Sequence, residues 1–107
     1  MVITTLENAT AVPNPAGLDA RRLYDMPEAQ VIHIRLTPGQ AVAKHIIPVN
    51  AAFYVLEGTG LFEIGEESAE ASAGMIVESP ASLTRGIVNT GSGDLCFLVF
   101  RAPRPAV

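Results

Sequence analysis

Residues 39–58 read GQAVAKHIIPVNAAFYVLEG. The stretch opens on a turn, because Thr37-Pro38-Gly39-Gln40 puts proline and glycine side by side. Proline fits the first central position of a type II turn, and glycine fits the second, where φ is positive. The stretch closes on a strand: Ala52-Phe53-Tyr54-Val55-Leu56 is β-branched and aromatic, and it stops at Glu57-Gly58. Between turn and strand stands His45, one of only 2 histidines in the chain. A histidine there can be a metal ligand, a catalytic base or a packing residue, and its surroundings have to decide.

The same punctuation continues outward. Val31 to Leu36 alternates, with His33 and Arg35 on one face and Ile32, Ile34 and Leu36 on the other. Leu61-Phe62-Glu63-Ile64 follows Gly58-Thr59-Gly60, so the two runs read as a hairpin. Met75-Ile76-Val77 and Ile87-Val88 are further short strands, and Leu95 to Phe100 is almost wholly apolar. Asp19 to Asp25 fits an edge strand better than a helical turn. Prolines make the tails, 1–16 and 102–107, irregular. Short strands with glycine and proline between them, and no helical pattern, predict an all-β fold, a sandwich or barrel. There is no repeat and no internal boundary, so residues 1–107 are read as one domain.

Composition removes several classes. The formal net charge is −4 and the 7 Lys and Arg residues are scattered, which argues against a nucleic-acid partner. Hydrophobic residues make up 49% of the chain, yet no run reaches the roughly 18–20 residues of a membrane helix, so no membrane partner is expected. The apolarity must serve a core, an interface or a cavity. The single cysteine, Cys96, lies among apolar neighbours and reads as a buried structural thiol in a reducing, cytoplasmic setting.

The glycines, His45, Pro80 and Asn89 also fall into register. Five residues separate Gly39 from His45, and Gly58 closes the following strand; five separate Gly74 from Pro80, and Asn89 lies nine further on. This spacing resembles the two motifs of the cupin superfamily, here at about 39–58 and 74–89, and "FYVLEGTG" (53–60) resembles the strand and turn after the first. The resemblance implies a double-stranded β-helix, or jelly-roll barrel. In metal-binding cupins, two histidines and a glutamate of the first motif and a histidine of the second hold the ion. Here His45 is the only ligand position retained. Ile47, Ala51 and Arg85 stand at the other three, and Ser82 replaces the second motif's inner glycine.

Ile47 and Ala51 offer no donor atom, and Arg85 is a permanent cation. No conventional metal cofactor is therefore expected; Fe, Mn, Ni or Zn would need substitute ligands such as Asn50. If the cupin orientations hold, His45 and Arg85 point into the barrel from neighbouring strands. An arginine in such a pocket favours a carboxylate or phosphate. Ile47, Ala51, Phe53 and Val55 would supply an apolar wall. The reading that follows is a small cupin binding a small, anionic molecule without a metal, and associating as a homodimer. Two alternatives stand beside it: a metal-dependent oxygenase or isomerase built on His45, and a metal-independent sugar-nucleotide epimerase. The last would need more basic residues than this chain has.

Each candidate also has a plainer role. His45 can be a former ligand hydrogen-bonded inside the barrel, and Arg85 a solvent-facing partner of a surface carboxylate. His33 reads as a solvated residue on a polar face or part of an interface. Tyr54 has outward parity. Tyr24 is a proton donor only in principle, and Glu57 and Glu63 read as solvated charges around the hairpin. No Ser-His-Asp signature, phosphate loop or zinc cysteine cluster is present.

Overall fold

Alternation along the strands sorts the chain into an inside and an outside. In β3 (Ala29–Leu36) the side chains of Gln30, Ile32 and Leu36 are buried. In β5 (Asn50–Glu57) they are Ala51, Phe53 and Val55, and in β10 (Leu95–Ala102) Phe97 and Val99. A period of two with one face apolar is what a sheet laid over a core requires. The computed structural model describes residues 1–105, and these contain ten strands and no helix.

The remaining strands are β1 (Thr10–Ala11), β2 (Asp19–Met26), β4 (Ala41–Ile46), β6 (Thr59–Ile64), β7 (Glu67–Ser72), β8 (Ile76–Ser79) and β9 (Thr84–Asn89). They form two antiparallel sheets, ordered β1-β2-β3-β10-β5-β8 and β4-β9-β6-β7. The all-β double-stranded β-helix expected from the motifs is the fold observed. Phe53, Phe62 and Phe97 meet at its centre with ring centroids 5.8–6.1 Å apart, two of the three contacts edge-on. That geometry suits the ring quadrupoles.

The motif residues act as hinges of this frame. Gly39 has φ 85°, and the Gln40 N–H donates to the Thr37 carbonyl at 2.9 Å, closing the expected turn. Gly58 has φ 83° and lies directly beneath the Asp94 backbone. Asn89 is buried at the end of β9. Its Nδ2 donates to the carbonyls of Leu36 and Gly93, each at 2.9 Å, and its Oδ1 accepts from Gly91 N.

The chain departs from the sequence reading in four places. Glu67–Ser72 is a strand that the reading does not propose. Its sequence, ESAEAS, buries only Ala71, and β7 is the outer strand of its sheet, where charge is tolerated and deters edge pairing. The tail expected to be irregular from residue 102 still holds Ala102 in β10, paired with Asn50; residues 106–107 of that tail lie outside those described. The N-terminal tail contributes β1, paired to β2.

The fourth departure concerns His33, which is not solvated: it is 6% exposed. Leu6 and Glu7 reach the rim of its face beside Asp19, Arg21 and Arg35, and the Arg21 guanidinium holds the Leu6 carbonyl at 2.7 Å. Burial, then the nearby Arg35 charge, lowers the imidazole pKa from its usual value. The unfolded chain therefore binds the proton more readily. The folded state keeps the full benefit above the unfolded value, about 6.5, and loses it as pH falls toward the depressed folded value. His33→Leu is expected to flatten the decline in stability between about pH 6.5 and pH 5, measured by urea unfolding at both pH values. His45 is present in both proteins and cancels in the comparison. An unchanged slope would show that His33 is not the acid-sensitive group.

Candidate functional site

Strand β9 turns Arg85, Ile87 and Asn89 inward, and β4 brings His45 directly opposite Arg85 in the ladder. The register of β4 shifts between Val42 and His45, so a bulge re-aims His45 toward the barrel. His45 Nδ1 donates to the Ala43 carbonyl at 2.9 Å, because a carbonyl can only accept. In the neutral ring this leaves Nε2 as the free acceptor.

Arg85 is 2% exposed, which rules out the solvent-facing role. Its Nη2 donates to the Val49 carbonyl at 3.1 Å and the Ile47 carbonyl at 3.4 Å, tying down the connection between β4 and β5. Its Nε and Nη1 are buried and have no partner. Those two nitrogens carry three N–H bonds, so most of the guanidinium's donor capacity is unused. Burial lowers its pKa from the usual arginine value, with no carboxylate acting in the other direction.

His45, Ile47, Phe53 and Arg85 share one cavity, as the motif spacing implies. Two expected wall residues do not belong to it. Ala51 faces a separate open pocket with Asn50 and Ser79, and Val55 is wholly buried in the core. Their places are taken by Ile34, Val42, Phe97 and Val99. The cavity is also smaller than the expected ligand pocket, at about 20 Å³, room for a single water-sized guest. The physical reason is that Phe53 and Phe97, which line it, pack edge-on against each other, and the buried Arg85 side chain fills space beside them.

The sequence reading misses Arg101. It stands against the proline-rich tail in the sequence, but it is the penultimate residue of β10, with the inward parity of Phe97 and Val99. Arg101 lines the same cavity as Arg85. Its Nη1 reaches Gln30 Oε1 at 3.3 Å, and its buried Nε has no partner. Burial lowers its pKa, and the charges of Arg85 and Arg22 lower it further. Among the described residues neither Arg85 nor Arg101 has a carboxylate within ion-pair distance; the carboxylates that do pair, Asp19, Asp25, Glu63 and Asp94, take other cations. Counting by twos from Phe97 is the signal that finds it.

The donor set does not fit a cupin metal centre. Where imidazole and carboxylate ligands would be needed, Ile47 and Ala51 are apolar, and unpartnered guanidinium N–H groups occupy the space opposite His45. Among the described residues no three His, Cys, Asp or Glu side chains are placed to hold an ion. What the arrangement offers instead is two cations, one imidazole and apolar walls. A carboxylate, halide or similar anion satisfies such groups better than a cation.

The fold and motifs together define a cupin-type barrel, and comparison with known proteins agrees. The model of the Cupin domain family matches residues 32–101, and the chain belongs to that family. The TT1209 protein of Thermus thermophilus is 30% identical over 98% of this chain and 100% of its own, with a TM-score of 0.84. A predicted oxalate decarboxylase of Thermotoga maritima is 23% identical, over 97% and 100% of the two chains, with a TM-score of 0.84. An RmlC-like cupin of Shewanella frigidimarina is 18% identical, over 95% and 90%, also at 0.84. The last two likenesses are of fold. No curated protein matches the chain.

Proposed function

We propose that this cupin binds a small anion, a halide or at the largest formate, at Arg85 inside the barrel, without a resident metal. The observation that carries the reading is the buried Arg85 guanidinium, with Nε and Nη1 unpartnered beside a cavity shared with His45 and Arg101. A buried charge left without a counter-charge is costly, and an anion relieves two guanidinium groups at once. His45 Nε2, free of a partner in the neutral ring, can in addition accept a hydrogen bond from a bound water.

The test is thermal unfolding in a halide-free, non-coordinating buffer with added formate or chloride. A ligand at 100 times its Kd stabilises a protein by about 2.7 kcal/mol. The wild-type protein is expected to gain stability with at least one of these anions, and Arg85→Met to gain none. Equal gains in both proteins would overturn the reading. So would stoichiometric Fe, Mn, Ni or Zn in the purified protein, which would favour the metal-dependent alternative.

We further propose that a second copy covers the outer face of the six-stranded sheet. Tyr54, Leu56, Ile76 and Phe100 are exposed there, with Tyr54 paired directly to Ile76 across β5 and β8. These side chains carry no charge, so the patch can be covered by its own copy without desolvating a charged group. Tyr54→Glu is expected to convert a dimer to a monomer by sedimentation velocity. A wild-type protein that is monomeric at about 100 μM, well above the Kd of a stable dimer, would dismiss the interface. The buried Cys96 fits a cytoplasmic location. No helix of the described residues is long and apolar enough to cross a membrane.

A further inference from the structure

A second, larger space opens where the ends of β2 and β10 meet the start of β3. It is a cleft of about 560 Å³, within the size range of small-molecule sites. Its polar wall is Arg22, Arg101, Arg104, Gln30 and a single carboxylate, Asp25. Arg22 and Arg101 project from the concave face of the sheet, with Arg22 opposite Ile32 and Arg101 opposite Gln30. The Arg104 N–H donates to the Pro27 carbonyl at 3.2 Å, which fastens the tail as the cleft's third side.

Asp25 cannot neutralise this wall. One of its oxygens already accepts from Arg104 at 3.0 Å and from Gln30 at 3.3 Å, and the other lies 3.6 Å from Arg22 Nε. Three guanidinium groups face one carboxylate. Arg22 Nε and Arg101 Nε are both buried with no hydrogen-bond acceptor. The wall is thus held open around a surplus of two positive charges, with donors converging from two strands and the tail.

We propose that this cleft binds a small-molecule dianion, a phosphate ester or a dicarboxylate, through Arg22, Arg101 and Arg104. Two negative charges match the surplus, and tetrahedral or paired carboxylate oxygens can accept from arginines that approach from different directions. The site lies outside the Arg85 cavity and does not depend on anion binding there. Arg101 is the shared wall, because it lines both spaces.

The probes are inorganic phosphate and succinate, followed by calorimetry in low salt at about pH 7.5, where phosphate is mainly the dianion. The wild-type protein is expected to bind at least one, more weakly as sodium chloride is raised. Arg104→Gln lies on the surface and leaves the core intact; it is expected to weaken binding about tenfold, the equivalent of one charge-assisted contact. Arg22→Met is expected to weaken it at least as much, and Arg35→Gln, whose ion pair with Asp94 lies elsewhere, to leave it unchanged. Saturation by neither probe in the wild-type protein would overturn the proposal. So would loss of binding in Arg85→Met with full retention in Arg22→Met and Arg104→Gln, which would put the anion inside the barrel and support the Arg85 site alone.

Discussion

Gly58→Ala is expected to cost this protein about 2–5 kcal/mol, a large share of the stability of a domain of this size. Two effects add. Gly58 holds φ 83°, a left-handed backbone that costs an L-residue about 1–2 kcal/mol. A methyl group there would also run into the Asp94 carbonyl oxygen and approach the Leu95 Cα to 3.1 Å. Both obstacles are backbone, so a whole segment must shift, at the further cost of about 1–3 kcal/mol typical of overpacking. Gly39 supplies the comparison. It has a similar φ, 85°, but nothing lies within 4 Å of its added methyl group. Gly39→Ala should therefore show only the backbone cost, about 1–2 kcal/mol. Urea unfolding of the two variants separates the effects, and equal losses would refute the role given to the Asp94 contact.

That pair of glycines also explains why the fold is readable in the sequence and the site only partly so. Left-handed turns and close backbone approaches need glycine whatever the barrel binds, so Gly39 and Gly58 stand at their spacing and mark the architecture. Ligand chemistry has no such anchor. Ile47 and Ala51 stand at metal-ligand positions, and a spacing rule can report only that they are not ligands. It cannot say that Ile47 lines the His45 cavity while Ala51 faces another pocket. That depends on the bulge between Val42 and His45 and on how tightly Phe53 and Phe97 close the interior.

Arg101 is obscured for a different reason. Prolines at 103 and 105 make its neighbourhood look irregular, yet β10 runs on to Ala102 because both of its edges are paired, to β3 and to β5. Pairing on two sides outweighs the local signal. His33 shows the converse error. Its alternation with Arg35 correctly gives its face, but the N-terminal segment that helps cover it is remote in sequence and carries no strand pattern. Periodicity reports which face a side chain is on; what covers that face is a tertiary fact.

Asn89→Ala is expected to lose about 3 kcal/mol, although Asn89 touches no candidate ligand site. Its amide holds three backbone groups on two segments: Leu36 at the end of β3, and Gly91 and Gly93 in the loop that follows β9. The chain on either side of it is also bound to the turn at Gly39, with Asn89 N–H donating to the Gln40 carbonyl at 3.0 Å and its own carbonyl accepting from Gly39 at 3.1 Å. Removing the side chain strands the Leu36 carbonyl in the core, at about 1–3 kcal/mol for an unmet buried acceptor, and frees the loop bonds besides. Asn89→Asp sharpens the test, because it keeps the shape and removes the donor. At about pH 7 its carboxylate would face two carbonyl oxygens, so it should be no more stable than Asn89→Ala. Protonation restores one O–H donor, so folding favours the protonated acid and the deficit of Asn89→Asp against the wild type should shrink as pH falls toward about 4. A deficit that stays constant with pH would mean that the donated bonds to Leu36 and Gly93 contribute little, and that the asparagine holds its motif position for the Gly91 contact alone.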